Sequence, residues 1–129
     1  MKQSLYYNNS TFDLEIKVSR IVNAGNGVFT KVFIPKFTII GKYEGQIKLN
    51  GGKKYNSDYT LIVSKKLSID ASKFPRVYMA MLNDAHSSDF HNNCVFKKIG
   101  NSIYIMSSEN IEVQSELFVS YGLDYWKSR

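Results

Sequence analysis

The stretch MLNDAHSSDFHNNC, from Met81 to Cys94, interrupts a chain that is otherwise rich in short apolar segments. Between Asn83 and Asn93 most residues are polar, and the turn to polar composition is abrupt. Long segments of this kind are uncommon inside a compact domain, and those that occur are usually functional or disordered. We therefore expect a loop here that carries part of the protein's function.

Short stretches of β-branched and aromatic residues lie on both sides of this polar loop. They predict strands over residues 14–18, 28–30, 37–43, 59–63, 95–97, 103–106 and 117–120. Turns are predicted at residues 23–27, 50–52 and 100–101, where glycine and asparagine tolerate positive φ. One short helix is predicted over residues 74–82, because Pro75 suits a first helical position and apolar residues recur at helical spacing.

The composition is that of one small globular domain. The 129 residues, 43% hydrophobic and 14% aromatic, are enough to enclose a single core. The formal net charge of +6 suits contact with nucleic acid, nucleosomes or an anionic surface without selecting among them. The N-terminal stretch lacks the apolar core of a signal peptide, and no apolar run is long enough to cross a bilayer. We expect a soluble, intracellular protein that makes no membrane contact.

Cysteine and histidine usage argues against a metal centre. Cys94 is the single cysteine, so neither an intramolecular disulfide nor a cysteine-built zinc cluster can form within the chain. We expect Cys94 to be a small buried side chain rather than a nucleophile. His86, Asp89 and His91 share the polar loop, but two histidines in such a loop are more often surface residues. We predict no metal.

Three stretches bear on function: AGNGVF at residues 24–29, the polar loop, and ELFVSYGLDYW at residues 116–126. Alone, the turn Gly25-Asn26-Gly27 lacks the third glycine and the following helix of a dinucleotide-binding site. Taken together and in this order, the three stretches closely resemble the SET-domain protein lysine methyltransferases. The resemblance runs from about Glu15 to the C-terminus.

Three longer blocks carry this resemblance. AGNGVFTKVFIPKFTIIGKYEG is similar to the family's opening strand pair, with its glycine-x-glycine turn, "ipkg" connection and tyrosine-x-glycine strand. LSIDASKFPRVYMAMLNDAHSSDFHNNCVF resembles the region around the family's asparagine-histidine pair, and SIYIMSSENIEVQSELFVSYGLDYW resembles the closing segment. The ending SYGLDYWKSR is most similar to minimal stand-alone SET proteins of large DNA viruses and some microbes.

What the resemblance implies for the fold is a mainly β, SET-domain (β-clip-like) arrangement of small sheets with one or two short helices. The last segment would thread beneath the polar loop in a pseudoknot-like crossing. Residues 1–129 would form a single SET domain, with about 1–13 as an N-terminal extension.

The resemblance also implies site residues, position by position. Tyr121 and Tyr43 are implied as catalytic residues, the first closing the active site and the second forming the aromatic wall of the lysine channel. Phe96, Val119 and Tyr125 would line that channel as well. Contacts to the cofactor S-adenosylmethionine are implied for Gly25, Asn26, Gly27, Phe29, Asn83, Tyr121 and Trp126.

These residue types suit methyl transfer to lysine. A lysine ammonium has no lone pair, and its reference pKa is about 10.4, so it must first lose a proton. An aromatic channel disfavours the charged form by desolvation, and a neighbouring sulfonium disfavours it by repulsion. Orientation of the amine would then supply much of the acceleration, without a dedicated base.

The sequence departs from the family at Asp84, which replaces the histidine that directly follows the family's asparagine. Two further interpretations stay open beside an enzyme that acts on histone-like lysine-rich tails and releases S-adenosylhomocysteine. One is a SET-fold module that binds cofactor or peptide without turnover, and the other is a basic β-domain that binds single-stranded nucleic acid. A histone substrate would imply a nuclear or chromatin location, with nucleosomal DNA contact and a homodimer left open.

Overall fold

The computed structural model describes residues 5–49 and 59–122. Within them the chain forms short strands and a single turn of 3-10 helix, Tyr78–Ala80. The strands are β1 (Tyr6–Tyr7), β2 (Leu14–Val18), β3 (Asn26–Thr30), β4 (Ile39–Lys42), β5 (Gln46–Leu49), β6 (Thr60–Ile62), β7 (Leu67–Asp70), β8 (Arg76–Val77), β9 (Cys94–Ile99), β10 (Ser102–Ser107) and β11 (Glu116–Leu117). The predicted mainly β class is confirmed. No helix in these ranges is long and apolar enough to span a membrane.

The strands form small sheets rather than one large one. Three sheets have three strands each, in the orders β4-β10-β9, β11-β3-β2 and β5-β7-β6, and a two-stranded sheet joins β1 to β8. All pairs within the three larger sheets are antiparallel, whereas β1 and β8 run parallel. All three larger sheets contribute buried side chains to one hydrophobic core, including Ile69 of β7.

That core is formed by side chains from every larger sheet. Val28, Ile34, Ile105 and Leu117 are each fully buried, at 0% exposure. Alternation explains the burial of β10, where Ile103 and Ile105 point inward while the residues between them are partly exposed. Burial of such apolar faces is the main force that holds the small sheets together.

Most strand predictions are confirmed within a few residues, but four strands, β1, β5, β7 and β8, were not predicted. Strand β2 has the predicted bounds, Leu14–Val18. Strands β5 and β7 were missed because each has only four residues and a mixed polar pattern. Their pairing in the order β5-β7-β6 supplies the stability that the local pattern lacks.

The predicted helix over residues 74–82 is wrong in extent. Arg76 and Val77 are extended and pair in parallel with Tyr6 and Tyr7, with the Arg76 amide donating to Leu5 O at 2.8 Å. Only Tyr78–Ala80 turns, as a 3-10 helix. Pairing with a segment some seventy positions away overrides a helical pattern that is short and lacks an N-terminal side-chain cap.

The C-terminal segment crosses between the two ends of the polar loop. Asn83 forms a parallel bridge with Phe118, and Cys94 forms one with Val119. The Val119 amide donates to Asn83 O at 3.0 Å, and the Cys94 amide donates to Phe118 O at 2.9 Å. Both ends of the loop thus hold the same two residues, which is the predicted pseudoknot-like crossing.

Asn93 fastens this crossing from the side of the loop. Its side chain is buried, donating from Nδ2 to Glu116 O at 2.9 Å and accepting from the Phe118 amide at 2.9 Å. One asparagine therefore satisfies an acceptor and a donor of the threaded strand, as a neighbouring strand would do.

Candidate active site

The crossing creates two adjoining cavities. The first, which we name the aromatic cavity, has a volume of about 80 Å³ and is lined by Tyr43, Tyr59, Leu61, Phe96, Val119 and Tyr121 among others. The second, which we name the glycine-turn cavity, has a volume of about 210 Å³ and is lined by Tyr6, Gly25, Asn26, Tyr59, Asn83 and Tyr121 among others. Tyr59 and Tyr121 line both, so the cavities meet at these two side chains.

Tyr121 is held at its backbone and at its hydroxyl. The amide donates to Asp84 Oδ2 at 2.8 Å, and the hydroxyl donates to Leu82 O at 2.5 Å. These two bonds fix the ring at the junction of the cavities. A phenolic oxygen that donates a hydrogen bond can also accept one.

Tyr43 forms the buried wall of the aromatic cavity. Its hydroxyl donates to Tyr59 O at 2.7 Å, and its ring meets Phe96 edge-to-face, with centroids 6.1 Å apart. Burial raises the pKa of Tyr43 well above its ordinary value, and the charge of Asp70 raises it further. Tyr43 therefore stays protonated and contributes an apolar face and a neutral donor rather than a base.

Asn83 links the glycine turn to the crossing. Its Nδ2 donates to Asn26 O at 3.0 Å and lies 3.4 Å from Glu116 Oε2. Gly25, on the same turn, has φ of +71° with open space around the position of a Cβ atom. A positive φ favours glycine, and the open backbone here leaves room for a ligand to approach.

Glu116 is a buried carboxylate that holds the β2–β3 connection in place. It is 2% exposed, accepting from Ser19 Oγ at 2.7 Å and from the Arg20 amide at 2.8 Å. A Cβ on Gly27 would overlap Glu116 Oε2 and crowd the Asn83 amide. Glycine is therefore required at position 27 to let this carboxylate pack beneath the turn.

The structure brings most of the predicted site residues together. Tyr43, Phe96, Val119 and Tyr121 line the aromatic cavity. Gly25, Asn26, Asn83 and Tyr121 line the glycine-turn cavity.

Four other predicted residues are not placed in these cavities. Gly27 lies beneath the turn against Glu116, and the buried ring of Phe29 lies under Lys17 Nζ, 4.5 Å from the ring centroid. Tyr125 and Trp126 lie outside the described residues. Ligand contacts from these four positions stay predictions.

Sequence reasoning missed Tyr59, Thr60 and Tyr6. Tyr59 and Thr60 begin a predicted strand, but nothing local indicates that its end lines the aromatic cavity. Thr60 Oγ1 is buried without a hydrogen-bond partner, an unusual state for a hydroxyl. Tyr6 falls in the predicted N-terminal extension, yet the pairing of β1 with β8 brings it to the glycine-turn cavity.

Two further predictions concern Cys94 and the polar-loop histidines. Cys94 is 1% exposed, and burial raises the pKa of its thiol to about 12, so it is a packed side chain. His91 Nε2 lies 2.7 Å from Glu109 Oε1, and His86 is exposed. Among residues 5–49 and 59–122, no three His, Cys, Asp or Glu side chains are grouped as metal ligands would be.

A mainly β fold with a C-terminal segment threaded through a polar loop, beside a glycine turn and an aromatic cavity, defines a SET-type domain. Residues 14–129 match the family model described as PR domain zinc finger protein 2, PR domain. The chain belongs to this family of PR domains, which are related to SET domains. The match does not confirm the predicted likeness to minimal viral forms.

Two proteins illustrate the likeness. Histone-lysine N-methyltransferase set-17 of Caenorhabditis elegans is 30% identical over 114 residues, which cover 85% of this chain and 41% of that protein. The chain thus spans about two fifths of that relative's length. The methyltransferase domain of human PR domain-containing protein 2 has a similar fold, with a TM-score of 0.70 at 23% identity over 85% of this chain and 77% of that chain.

Proposed function

We propose that this PR domain is an S-adenosylmethionine-dependent protein-lysine N-methyltransferase that acts on lysine-rich, histone-like tails. One observation carries the proposal. A narrow aromatic cavity and a more polar one beside a glycine turn meet at Tyr59 and Tyr121. Such a pair suits two reactants that must be held in line. The relative from C. elegans is named for the same activity.

The glycine-turn cavity suits the methionine part of S-adenosylmethionine, which supplies an electrophilic methyl group on a positively charged sulfur. Asn83 donates through Nδ2, and its Oδ1 accepts no hydrogen bond from the described residues. That oxygen would accept from the ammonium at the amino acid end. Gly25 and Asn26 would offer backbone groups on the opposite wall.

The aromatic cavity suits the substrate lysine. Tyr43, Tyr59 and Phe96 form an apolar wall that disfavours the ammonium and favours the neutral amine. The same rings hold a methylated ammonium by cation–π attraction, which suits repeated transfer. The proton leaves to solvent, so no side chain need act as a dedicated base.

Two hydroxyl oxygens, those of Tyr121 and Thr60, would orient the amine of the substrate lysine. Tyr121 donates a hydrogen bond to Leu82 O, and its phenolic oxygen would accept one from an amine N–H. Thr60 Oγ1, buried without a partner, is a second acceptor beside the cavity. With both N–H groups held by these oxygens, the amine lone pair would point toward a methyl donor bound in the glycine-turn cavity.

The test compares variants in binding and in turnover. We expect Tyr121→Phe to lower methyl transfer to mixed histones by at least about tenfold while cofactor affinity, measured by calorimetry, changes little. Asn83→Ala should do the reverse. The matched control is Tyr104→Phe, because Tyr104 lies on β10 and lines neither cavity. Equal labelling by all three variants would remove the proposal.

A binding module without turnover is the second candidate, and Asp84 in place of the family's histidine favours it. This function predicts saturable binding of S-adenosylmethionine with no labelled product from any histone. Single-stranded nucleic acid binding has less support, because Tyr43, Phe96 and Tyr121 line a cavity rather than an open stacking platform.

A histone substrate would place the protein at chromatin, and its net charge of +6 suits that setting. Nucleosomal DNA contact and a homodimer stay predictions.

A further inference from the structure

Asp84 is a buried carboxylate at the start of the polar loop. It is 7% exposed, and backbone or side-chain donors reach both of its oxygens. Oδ2 accepts from the Tyr121 amide at 2.8 Å. Oδ1 accepts from the His86 amide at 3.0 Å and from Asn92 Nδ2 at 3.1 Å.

The same carboxylate closes the polar loop on itself. Asn92 donates to Asp84 and accepts from the Ala85 amide at 2.9 Å, so the end of the loop is tied to its beginning. Ser88 continues the closure, its hydroxyl donating to Ala85 O at 2.6 Å. The loop therefore has a defined shape around Asp84, although its composition is that of a flexible segment.

Residues 82–84 connect the walls of the two cavities through hydrogen bonds. Leu82 O accepts the Tyr121 hydroxyl, and Asp84 accepts the Tyr121 amide. Between them, Asn83 donates to Asn26 O on the glycine turn. Three consecutive residues thus set the position of Tyr121 from two sides and tie it to the turn.

We infer that Asp84 is the positioning residue that sets Tyr121 for methyl transfer, in the place where the family pattern has a histidine. The inference rests on the proposed function. Asp84 lines neither cavity, so it acts through Tyr121 and is not a catalytic residue. Both carboxylate oxygens of Asp84 act as acceptors, which match the N–H donors of Tyr121, His86 and Asn92. An amide at this position would turn a donor toward one of them.

The first test is a double-mutant cycle. We expect Asp84→Asn to lower kcat by about tenfold or more in the wild-type background, with cofactor Kd changed less than about twofold. In the Tyr121→Phe background the same change should lower kcat less than about twofold, because coupled residues are not additive. The matched control is Asp89→Asn, an exposed residue of the same loop, which should leave kcat unchanged. Additive losses, or equal effects of the two asparagine variants, would overturn the inference.

The second test reads the position of Tyr121 without activity. Fluorotyrosine incorporation and ¹⁹F NMR would give a Tyr121 signal, assigned by its loss in Tyr121→Phe. Asp84→Asn should shift or broaden that signal, and Asp89→Asn should not. If the wild-type protein is active and the Tyr121 signal does not move in Asp84→Asn, the positioning role of Asp84 is rejected and the proposed function stands. If the wild-type protein is inactive but the Tyr121 signal moves in Asp84→Asn, the proposed function is rejected and the positioning role of Asp84 is retained.

Should Asp84→Asn fail to fold, Asp84→Glu takes its place in both tests. It keeps the carboxylate and moves it by one methylene, so we expect a folded protein with a smaller loss of kcat and a shifted Tyr121 signal. Wild-type kcat together with an unmoved signal would count against the inference.

Discussion

Phe37 has a backbone conformation that ordinarily belongs to glycine. Its φ is +61°, and the side chain is 66% exposed, with Lys36 Nζ 4.7 Å above the ring. A non-glycine residue in this region is strained by about 1 to 2 kcal/mol. The related "ipkg" pattern has glycine at this position. Because the Phe37 ring is largely exposed, its burial does not offset the backbone strain.

Replacing Phe37 with glycine should therefore stabilise the protein. We expect Phe37→Gly to raise the free energy of unfolding by about 0.5 to 1 kcal/mol, since relief of strain exceeds the entropy that glycine adds to the unfolded chain. Urea denaturation measures this change. Phe37→Ala is the control, because it removes the ring and keeps the strain. A glycine variant no more stable than the alanine variant would contradict the explanation.

At the level of elements, Arg76 of β8 links the connection from β7 to β8 with the aromatic cavity. This side chain is 7% exposed and stacks 3.6 Å from the centroid of Tyr59, which lines both cavities. Its Nε donates to Ala71 O at 2.9 Å and its Nη2 donates to Ser72 O at 2.7 Å. A planar guanidinium is needed to make all these contacts together.

Arg76→Lys should therefore damage both stability and the site. We expect a loss of about 2 to 3 kcal/mol in the free energy of unfolding, because the stack, one buried hydrogen bond and one partly buried hydrogen bond are lost. Cofactor affinity should fall as well, since Tyr59 loses its support. Chemical denaturation and calorimetry measure the two effects. Lys73→Met removes an exposed cation nearby and should change neither; wild-type behaviour of Arg76→Lys would exclude a supporting role.

For the whole molecule, ligand binding and stability should be linked. If S-adenosylmethionine binds only the folded chain, a concentration of one hundred times Kd adds about 2.7 kcal/mol, or roughly 10 °C in Tm. The shift should grow with ligand concentration and should be smaller for Asn83→Ala at the same concentrations. Differential scanning fluorimetry measures it. A Tm that does not respond to the ligand would remove the cofactor from the proposal.

The crossing explains why so short a chain can hold a site built from distant segments. Asn83 pairs with Phe118 and Cys94 pairs with Val119. These two bridges bring the glycine turn, the polar loop and Tyr121 together around the glycine-turn cavity. Tyr6 joins the same point through a pairing with Arg76 across seventy positions. Such contacts depend on topology, which no local window of sequence contains.

The sequence by itself determined the mainly β class, most strand positions and the polar loop, because alternation and turn residues are local signals. The family resemblance added the prediction that Tyr43, Asn83 and Tyr121 are site residues. Only the tertiary structure decided that the predicted helix over residues 74–82 is reduced to one 3-10 turn, and that Tyr59 lines the aromatic cavity. It also decided the direction of the Asp84 carboxylate, whose bond to the Tyr121 amide spans 37 positions. Hydrogen bonds over such separations are set by how the sheets pack, and packing is a property of the whole chain.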